Sequence, residues 1–217
     1  MKHYLDITLL PDSEMSLGFV WYKLYQQIHL MLVDNKIGEK DSAVAVSFPT
    51  YAKKGFPLGN KLRLLASTKE ELEKLDAPCW LSRLDDYVHI KGIKSVPEGV
   101  TEFVYFKRWI YKSPEKLRSQ VDKRAEYLAD KNGLKVEEVK ANLLLSIDNM
   151  EDESRLPYLN MTSLSTDSSV PASERRNFKL FIEKQPAKTH GNNEKLFTSY
   201  GLSRRSEQQQ VPIPWFD

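Results

Sequence analysis

The order in which strand-like and helix-like segments alternate over residues 1–100 constrains the fold of this chain more than any other feature. Alternating apolar and polar residues predict strands, and apolar residues at helical spacing predict helices. The predicted elements are a strand at 3–10, a helix at 16–34, strands at 42–49 and 61–68, a short helix at 69–75 with Thr68 as N-cap, and a strand at 87–96. This β-α-β-β-α-β order is that of a ferredoxin-like fold, which accommodates many functions.

The chain changes character after residue 100. A basic helix is predicted with Ser113 as N-cap, Pro114 at its first position and Gly133 at its end. The remaining predicted elements are a helix at 135–147, a polar linker at 149–154 and strand-like segments at 155–165, 176–184 and 195–202. We therefore expect an α+β protein with a ferredoxin-like domain over residues 1–100 and a C-terminal α/β region over residues 101–217 that contains the basic helix.

The positive charge is concentrated in two segments. The formal net charge is only +2 over 217 residues, and residues 1–100 contain 13 basic and 13 acidic side chains. Residues 107–124 have seven basic and two acidic side chains, and residues 175–205 have eight basic and two acidic side chains. Such clusters on a nearly neutral protein indicate a polyanion, such as nucleic acid, held at one face. A solvated helix face and a solvated loop are the alternative interpretation.

Several classes of site are not predicted. The lone Cys79 cannot build a disulfide framework or a thiolate metal site, which favours a reducing compartment such as the cytoplasm. We expect no signal peptide and no membrane span, because no apolar run is long enough. Phosphate-loop and zinc-hydrolase motifs are absent and the four histidines share no ligand spacing, so we expect neither a metal nor a cofactor.

The predicted helix at 16–34 contains one titratable residue beside its apolar stripe. Leu24, Ile28 and Met31 recur at helical spacing and should be buried. His29 lies on the neighbouring line of the helix, with Tyr22 and Gln26. The helix alone leaves two interpretations open, a structural histidine at the edge of the core or a histidine that performs acid–base chemistry.

Several longer segments together resemble one known family. Nearly from end to end, the chain resembles the CRISPR RNA-processing endoribonuclease of the type I-F systems. The segments that carry the resemblance are, in chain order, "HYLDITLLPD", "IHLMLV", "VAVSFP", "KRWIYKSPEKLR", "LPYLNMTSLST", "NFKLFIEK", "FTSYGLS" and "VPIPWF". The combination of "FTSYGLS" with a terminal "PWF" is the most specific of these.

The resemblance implies metal-independent cleavage of a repeat-derived RNA hairpin at the 3′ base of its stem. His29 occupies the place of the family's general base, which takes the proton of the ribose 2′-hydroxyl next to the scissile phosphate. An unperturbed imidazole titrates near pH ~6.5 and is therefore largely neutral at cellular pH. Attack of the 2′-oxygen would leave a 2′,3′-cyclic phosphate and a 5′-hydroxyl.

The resemblance also assigns roles to residues of the C-terminal segments. Ser163 matches a serine that helps position the 2′-hydroxyl, and Tyr200 matches a tyrosine that orients the imidazole. Ser165 and Thr166 lie beside Ser163 as expected RNA contacts, and Phe178 matches an aromatic residue that stacks on the base at the foot of the hairpin. Taken singly, Ser163 is more typical of an ordinary loop, and Tyr200 and Phe178 of core aromatic residues.

Basic side chains are expected to bind the RNA stem, because they neutralise phosphates and guanidinium groups can bind guanine edges. The residues assigned to this task are Arg108, Lys112, Lys116, Arg118, Lys123 and Arg124. Arg108 matches the linker arginine of the family, whereas Ile110 stands where the family has a glutamine. Ser119 and Gln120 replace frequent arginines. These departures weaken the transfer of the family's hairpin specificity, and Trp109 and Tyr111 are the alternative contacts.

The expected partners are a CRISPR repeat RNA hairpin, its mature guide RNA and other subunits of a type I-F surveillance complex. Two alternatives remain open from the sequence. One is a non-cleaving subunit that caps a guide RNA in that complex. The other is a general RNA-binding module, which would bind unrelated stems with similar affinity.

Overall fold

The computed structural model describes residues 1–53, 56–112, 114–149, 156–163, 175–187 and 196–217. The chain divides into two compact units, one formed by Met1–Trp109 with Leu156–Asp217 and the other by Ile110–Arg155. We call them the main unit and the helical unit. Helices and strands occur together, which confirms the α+β class.

Each segment predicted as a helix or strand in the first hundred residues contains one, but the strand predicted at 42–49 is divided into two short strands that belong to different sheets. The strands of the main unit are β1 (His3–Leu9), β2 (Asp41–Ser42), β3 (Ala45–Ser47), β4 (Lys61–Ala66), β5 (Val88–Ile90), β6 (Lys94–Ser95), β7 (Phe103–Trp109), β8 (Tyr158–Thr162), β9 (Asn177–Pro186), β10 (Phe197–Thr198) and β11 (Ile213–Pro214). The helices are α1 (Leu17–Asp34), α2 (Lys69–Glu73) and α3 (Ala77–Trp80) in the main unit, and α4 (Pro114–Arg118), α5 (Val121–Asn132) and α6 (Val136–Asp148) in the helical unit.

The first sheet has the order β3-β4-β1-β5, and β6 also pairs with β1. Every pairing in it is antiparallel. The strand predicted at 87–96 is therefore two short strands, β5 and β6, on the same side of β1. Thr68 caps α2 as predicted, since its side chain accepts the Glu71 N–H while the Glu71 carboxylate accepts the Thr68 N–H.

Helix α1 begins where its sequence predicts. The Ser16 side chain accepts the backbone N–H of Phe19, which satisfies one of the free donors of the first turn. Leu24, Ile28 and Met31 are fully buried, as the spacing predicted. His29 is half-buried, so it lies at the border between the core and solvent.

The second sheet has the order β11-β7-β9-β8. Strand β7, one of its two central strands, was not predicted. Basic and aromatic residues interrupt the pattern of its exposed face, and a strong helix signal follows the segment. Val104 and Phe106 of β7 and Leu180 of β9 are buried in the same apolar cluster as the core residues of the first hundred. Residues on both sides of the expected boundary at residue 100 thus share one hydrophobic core.

The helical unit contains two helices where one was predicted over 113–133. Helix α4 ends at Arg118 and α5 begins at Val121, and the expected cap Ser113 lies outside the described residues. The buried side of α5 consists of Val121, Ala125 and Ala129, and the two alanines pack with Val139 of α6. Gly133 ends α5 as predicted, with a φ of 66° that few other residues adopt.

A buried ion pair joins the first sheet to the C-terminal segment. The Nε and second terminal nitrogen of Arg63 donate to the two carboxylate oxygens of Asp6 at 2.6 and 3.0 Å. Its other terminal nitrogen donates to the carbonyl of Phe216 at 2.8 Å. The guanidinium carbon lies 3.9 Å from the ring centroid of Phe216 and 4.5 Å from that of Tyr4. Trp215 and Phe216 also pack against the hydrophobic core.

Replacement of Arg63 by Ala should destabilise the protein by about 3–5 kcal/mol, because Asp6 would remain buried without a partner. The measurement is urea unfolding followed by tryptophan fluorescence. Lys69→Ala, which removes only an exposed pair with Glu73, is the control and should leave the unfolding midpoint nearly unchanged. The double variant Asp6→Leu/Arg63→Met should recover much of the loss; equal stability of Arg63→Ala and the wild type would contradict the role assigned to this pair.

Candidate active site

His29 is held by a backbone carbonyl. Its Nδ1 lies 2.9 Å from the carbonyl oxygen of Ser199. Because a carbonyl can only accept, Nδ1 carries the hydrogen and donates it. The Nε2 of the neutral ring then has a free lone pair, so this nitrogen can accept a proton from a bound molecule.

The face of the imidazole is covered by Tyr200. The two rings are nearly parallel, with centroids 4.2 Å apart and an interplanar angle of 7°. The backbone of Tyr200 is fixed in turn by α1, because the hydroxyl of buried Tyr25 donates to its carbonyl at 2.9 Å. Burial raises the pKa of Tyr25, so this hydroxyl stays protonated and remains a donor. The geometry allows Tyr200 to fix the plane of the imidazole.

A tight turn presents Ser199 and Tyr200 to α1. Thr198 donates its N–H to the carbonyl of Leu202, and the N–H of Gly201 donates to the carbonyl of Thr198. Gly201 has a φ of 69°, and a Cβ at this position would come within 2.4 Å of a methyl group of Val46. The glycine in "FTSYGLS" is therefore required both by the turn and by its close approach to β3.

Arg108 connects the imidazole pair with Phe178. Its guanidinium carbon lies 5.5 Å from the ring centroid of Tyr200 and 5.2 Å from that of Phe178. The resemblance placed Arg108 in a linker, whereas in the structure it belongs to β7 and lies opposite Ile182 of β9. A half-buried cation between two aromatic rings next to a neutral base is suited to an anionic group that develops charge during a reaction.

The pKa of His29 is lowered from its ordinary value of 6.5. Burial is the main cause, since it disfavours the charged imidazolium, and the positive charge of Arg108 acts in the same direction. The hydrogen bond to Ser199 opposes both effects only in part. The ring is therefore neutral, and able to accept a proton, over a wider pH range than an exposed histidine.

The edge strand β8 is attached to α1 by the side chain of Gln26. The amide oxygen of Gln26 accepts the N–H of Thr162 at 3.1 Å, and its amide nitrogen donates to the carbonyl of Thr162 at 3.4 Å. The hydroxyls of Tyr22 and Thr162 are also hydrogen-bonded, at 3.0 Å. Gln26 thus pairs with a free strand edge as a neighbouring strand would.

Ser163 follows directly after this attachment point. Its N–H donates to the carbonyl of Arg176 at 2.8 Å, so the pairing of β8 with β9 continues through it. Because Gln26 and His29 are three residues apart, they lie one above the other on α1. The fold thereby brings the segment that contains Ser163 to the same face of α1 as His29.

The other residues assigned from the sequence are not part of this cluster. Ser165 and Thr166 lie outside the described residues. The expected stem-binding residues of the helical unit, which are Lys112, Lys116, Arg118, Lys123 and Arg124, are all exposed. Arg118 forms an ion pair with Asp148 at 2.6 Å, which leaves part of its guanidinium engaged within that unit.

Neither a metal-binding cluster nor a membrane-spanning helix is found in the described ranges. His, Cys, Asp and Glu side chains nowhere gather there in a group of three or more that could hold a metal ion. Within the same ranges, none of the helices combines the length and the hydrophobicity that crossing a membrane requires.

Sequence reasoning missed the contribution of Gln26, Thr162 and the carbonyl of Ser199. The shared helical line of Tyr22, Gln26 and His29 was visible in the sequence, and it could have indicated that one structural element covers all three. The partner of that line, β8, lies 136 residues from Gln26 along the chain, so no local pattern could identify it.

Comparison with known proteins gives concordant results. The sequence matches the family described as CRISPR-associated protein (Cas_Csy4) over residues 4–216. It is 31% identical over 221 residues to the CRISPR-associated endonuclease Cas6/Csy4 of Escherichia coli (strain UTI89 / UPEC), an alignment that covers 100% of both chains. It is 30% identical over 217 residues to the protein of the same name from Pseudomonas aeruginosa (strain UCBPP-PA14), again over 100% of both chains.

These matches confirm the resemblance seen in the sequence to the processing endoribonucleases of type I-F systems. They extend over the whole chain and include the segments around His29, Ser163 and Tyr200. The chain belongs to the Cas_Csy4 family of CRISPR-associated proteins.

Proposed function

We propose that this protein is an endoribonuclease that processes CRISPR precursor RNA. It cleaves the repeat hairpin at the 3′ base of the stem, without a metal ion, by attack of a ribose 2′-hydroxyl on the adjacent phosphorus. The products carry a 2′,3′-cyclic phosphate and a 5′-hydroxyl. Family membership supports the class of reaction, and both relatives named above are CRISPR-associated endonucleases.

The observation that carries the proposal is the state of His29. The ring donates from Nδ1 to Ser199, stacks on Tyr200 and has a lowered pKa. A neutral, oriented imidazole with a free Nε2 is the group that general-base removal of a hydroxyl proton requires. Among the described residues Nε2 has no hydrogen-bond partner, so at this half-exposed border it can accept a proton from a substrate.

The remaining residues of the site take defined roles in the reaction. Ser163 positions the 2′-hydroxyl for removal of its proton by Nε2 of His29. The 2′-oxygen attacks phosphorus, the bond to the 5′-oxygen of the next nucleotide breaks, and that oxygen takes up a proton. Arg108 stabilises the negative charge that develops on the phosphoryl oxygens. DNA lacks the 2′-hydroxyl and cannot react.

Stem recognition is assigned to Phe178 and to the exposed basic residues of the helical unit. Phe178 stacks on the base at the foot of the hairpin, where Arg108 already lies against its ring. Lys112, Lys116, Lys123 and Arg124 bind stem phosphates, which predicts a strong dependence of affinity on salt. Ser165 and Thr166 contact the RNA beside Ser163. After cleavage the protein stays bound to the guide RNA and joins other subunits of a cytoplasmic surveillance complex.

We assign the first hundred residues to a ferredoxin-like domain that contributes the general base. The support is the antiparallel order β3-β4-β1-β5 together with α1 and α2, since this is the strand order expected of the β-α-β-β-α-β arrangement. Residues 101–217 contribute the stem-binding helix and the strands that complete the site.

His29→Ala should abolish cleavage of a labelled repeat hairpin in the presence of EDTA while affinity for the hairpin stays within about twofold. General-base assistance is typically worth about 10²–10⁴-fold in rate, and the side chain contributes little to phosphate neutralisation. The measurements are single-turnover cleavage, detection of a cyclic phosphate end and equilibrium binding. His89→Ala, at an exposed position of β5, is the control and should cleave normally. Normal cleavage by His29→Ala would exclude the assigned base, and an uncleaved repeat in the wild type would favour the non-cleaving subunit.

The pH dependence of kcat/KM should follow the lowered pKa of His29. Because kcat/KM reports the free enzyme, its acid limb should have a midpoint below 6.5. Arg108→Ala removes a positive charge that lowers the pKa, so the midpoint should move upward even though the rate falls. A midpoint that is the same in both proteins would contradict the electrostatic coupling of these two residues.

Gln26→Ala should lower kcat by about ten- to a hundredfold with little change in KM, because misplacement by about 1 Å can cost that much. The free energy of unfolding should fall by only about 1–2 kcal/mol, the value of two hydrogen bonds. Gln26→Glu retains the acceptor for Thr162 N–H but lacks the donor, so its kcat should be intermediate. Gln209→Ala, at an exposed position, is the control. If kcat of Gln26→Ala fell only in proportion to the fraction of folded protein, Gln26 would have a general structural role and not a positioning role.

A further inference from the structure

A groove of about 330 Å³ lies along α1 on the main unit. It is lined by Met15, Phe19, Lys23, Arg83, Leu84 and Tyr87, together with Val20 and Gln27. We call it the α1 groove. Its volume lies at the lower end of the range found for small-molecule sites. None of these residues has a role in the reaction proposed above.

The charge of the α1 groove differs from that of the other described grooves. Its lining contains two cations, Lys23 and Arg83, and no carboxylate. The groove of about 710 Å³ beside β5 contains Glu73, Asp76 and Asp85 against the cation Lys91, and this excess of carboxylates would repel an anion. Within the described residues, neither Lys23 nor Arg83 forms an ion pair with a carboxylate, so both remain available to an anionic ligand.

Aromatic rings accompany these cations on the outer side of α1. Phe19 is 43% exposed, and its ring centroid lies 6.2 Å from that of Tyr22. The Nζ of Lys23 lies 5.3 Å from the Phe19 ring and 5.2 Å from the Tyr22 ring. The solvent side of a helix is normally polar. Aromatic rings combined with unpaired cations are the means by which proteins bind single-stranded nucleic acid, through stacking and phosphate neutralisation.

The helix that lines this groove also contains His29. At 1.5 Å per residue, Phe19 precedes His29 by about 15 Å along the helix axis and Lys23 precedes it by about 9 Å. Tyr22 and Gln26 lie between them and connect the helix to Thr162, next to Ser163. Because β8 covers Tyr22 and Gln26, a strand that leaves His29 can reach the groove only across the uncovered outer side of α1, past the half-buried Leu30 and Gln27.

We propose that the α1 groove binds the single-stranded RNA on the 3′ side of the cut, with a base against Phe19 and Tyr87 and its phosphates against Lys23 and Arg83. This inference rests on the proposed function. The 3′ flank is the favoured occupant because it is covalently attached to the scissile phosphate and must pass His29, whereas the stem lies on the other side of the cut. The groove would hold the leaving strand during the reaction.

The test compares two repeat hairpins, one with a long single-stranded 3′ flank and one that ends a single nucleotide past the cut. Binding is measured with full-length His29→Ala protein, which prevents cleavage, in the presence and absence of the further changes Phe19→Ala/Lys23→Ala. The long flank should increase affinity about five- to tenfold, as stacking of one base does, and the two further changes should remove this increase. Both side chains are at least partly exposed, and thermal unfolding checks that the variant is folded.

Two controls distinguish binding in the α1 groove from nonspecific electrostatic attraction and from binding of the 5′ flank. Lys74→Ala removes an exposed lysine elsewhere and should keep the advantage of the long flank. The affinity for a hairpin with only a 5′ flank should be the same with and without the Phe19→Ala/Lys23→Ala changes. A photoreactive thiouridine in the 3′ flank should crosslink to residues of the α1 groove.

The proposal would be overturned if the long 3′ flank increased affinity equally with and without the Phe19→Ala/Lys23→Ala changes. It would also be overturned if Phe19 and Lys23 increased the affinity of a hairpin that has only a 5′ flank. Neither result would affect the proposed function, because the short hairpin would still bind and, with His29 present, would still be cleaved. If the protein neither bound nor cleaved the short hairpin, both proposals would be overturned.

Discussion

The hydrogen bond from Nδ1–H of His29 to the carbonyl of Ser199 joins two segments that are 170 residues apart in the chain. It decides which nitrogen of the imidazole carries the hydrogen, and so it decides that Nε2 is available. A backbone carbonyl suits this task because it cannot change protonation state. The rest of the site supports this contact through the ring of Tyr200, the hydroxyl of Tyr25 and the glycine turn at Gly201.

Helix α1 is the element around which the candidate site is organised. Its buried stripe fixes it in the core, and its other residues engage segments from the C-terminal half of the main unit. Gln26 attaches the edge of β8, and Tyr25 and His29 attach the turn that contains Tyr200. The outer residues of the same helix, Phe19 and Lys23, line a cationic groove. One helix thereby combines core packing with the proposed proton acceptor and the proposed nucleotide-binding groove.

The buried pair of Asp6 and Arg63 has a comparable organising role for the C-terminal segment. Two charges removed from water are costly unless their hydrogen bonds are satisfied. Here the carboxylate is bound twice and the third donor of Arg63 reaches the carbonyl of Phe216. The terminal segment is thus held to β1 and β4 by a buried polar contact. The turn and strands that form the candidate site belong to the same unit.

The sequence by itself determined the local elements and the candidate residues. The apolar spacing of α1, the capping box at Thr68 and the stop at Gly133 depend on interactions within a few residues, so they can be read from the chain. The resemblance of ordered segments selected His29, Ser163, Tyr200 and Phe178, which no periodicity could have selected.

Tertiary structure decided the contacts between distant segments. The strand β7 is stabilised by its pairing with β9 and β11. These partners are distant in the chain, and the local sequence after β7 indicated only a helix. The bonds of Gln26 to Thr162 and of His29 to Ser199, and the position of Arg108 beside Tyr200, form only when the chain has folded. Local sequence patterns reflect forces that act over a few residues, whereas the protonation state of His29 depends on burial and on charges brought from elsewhere in the chain.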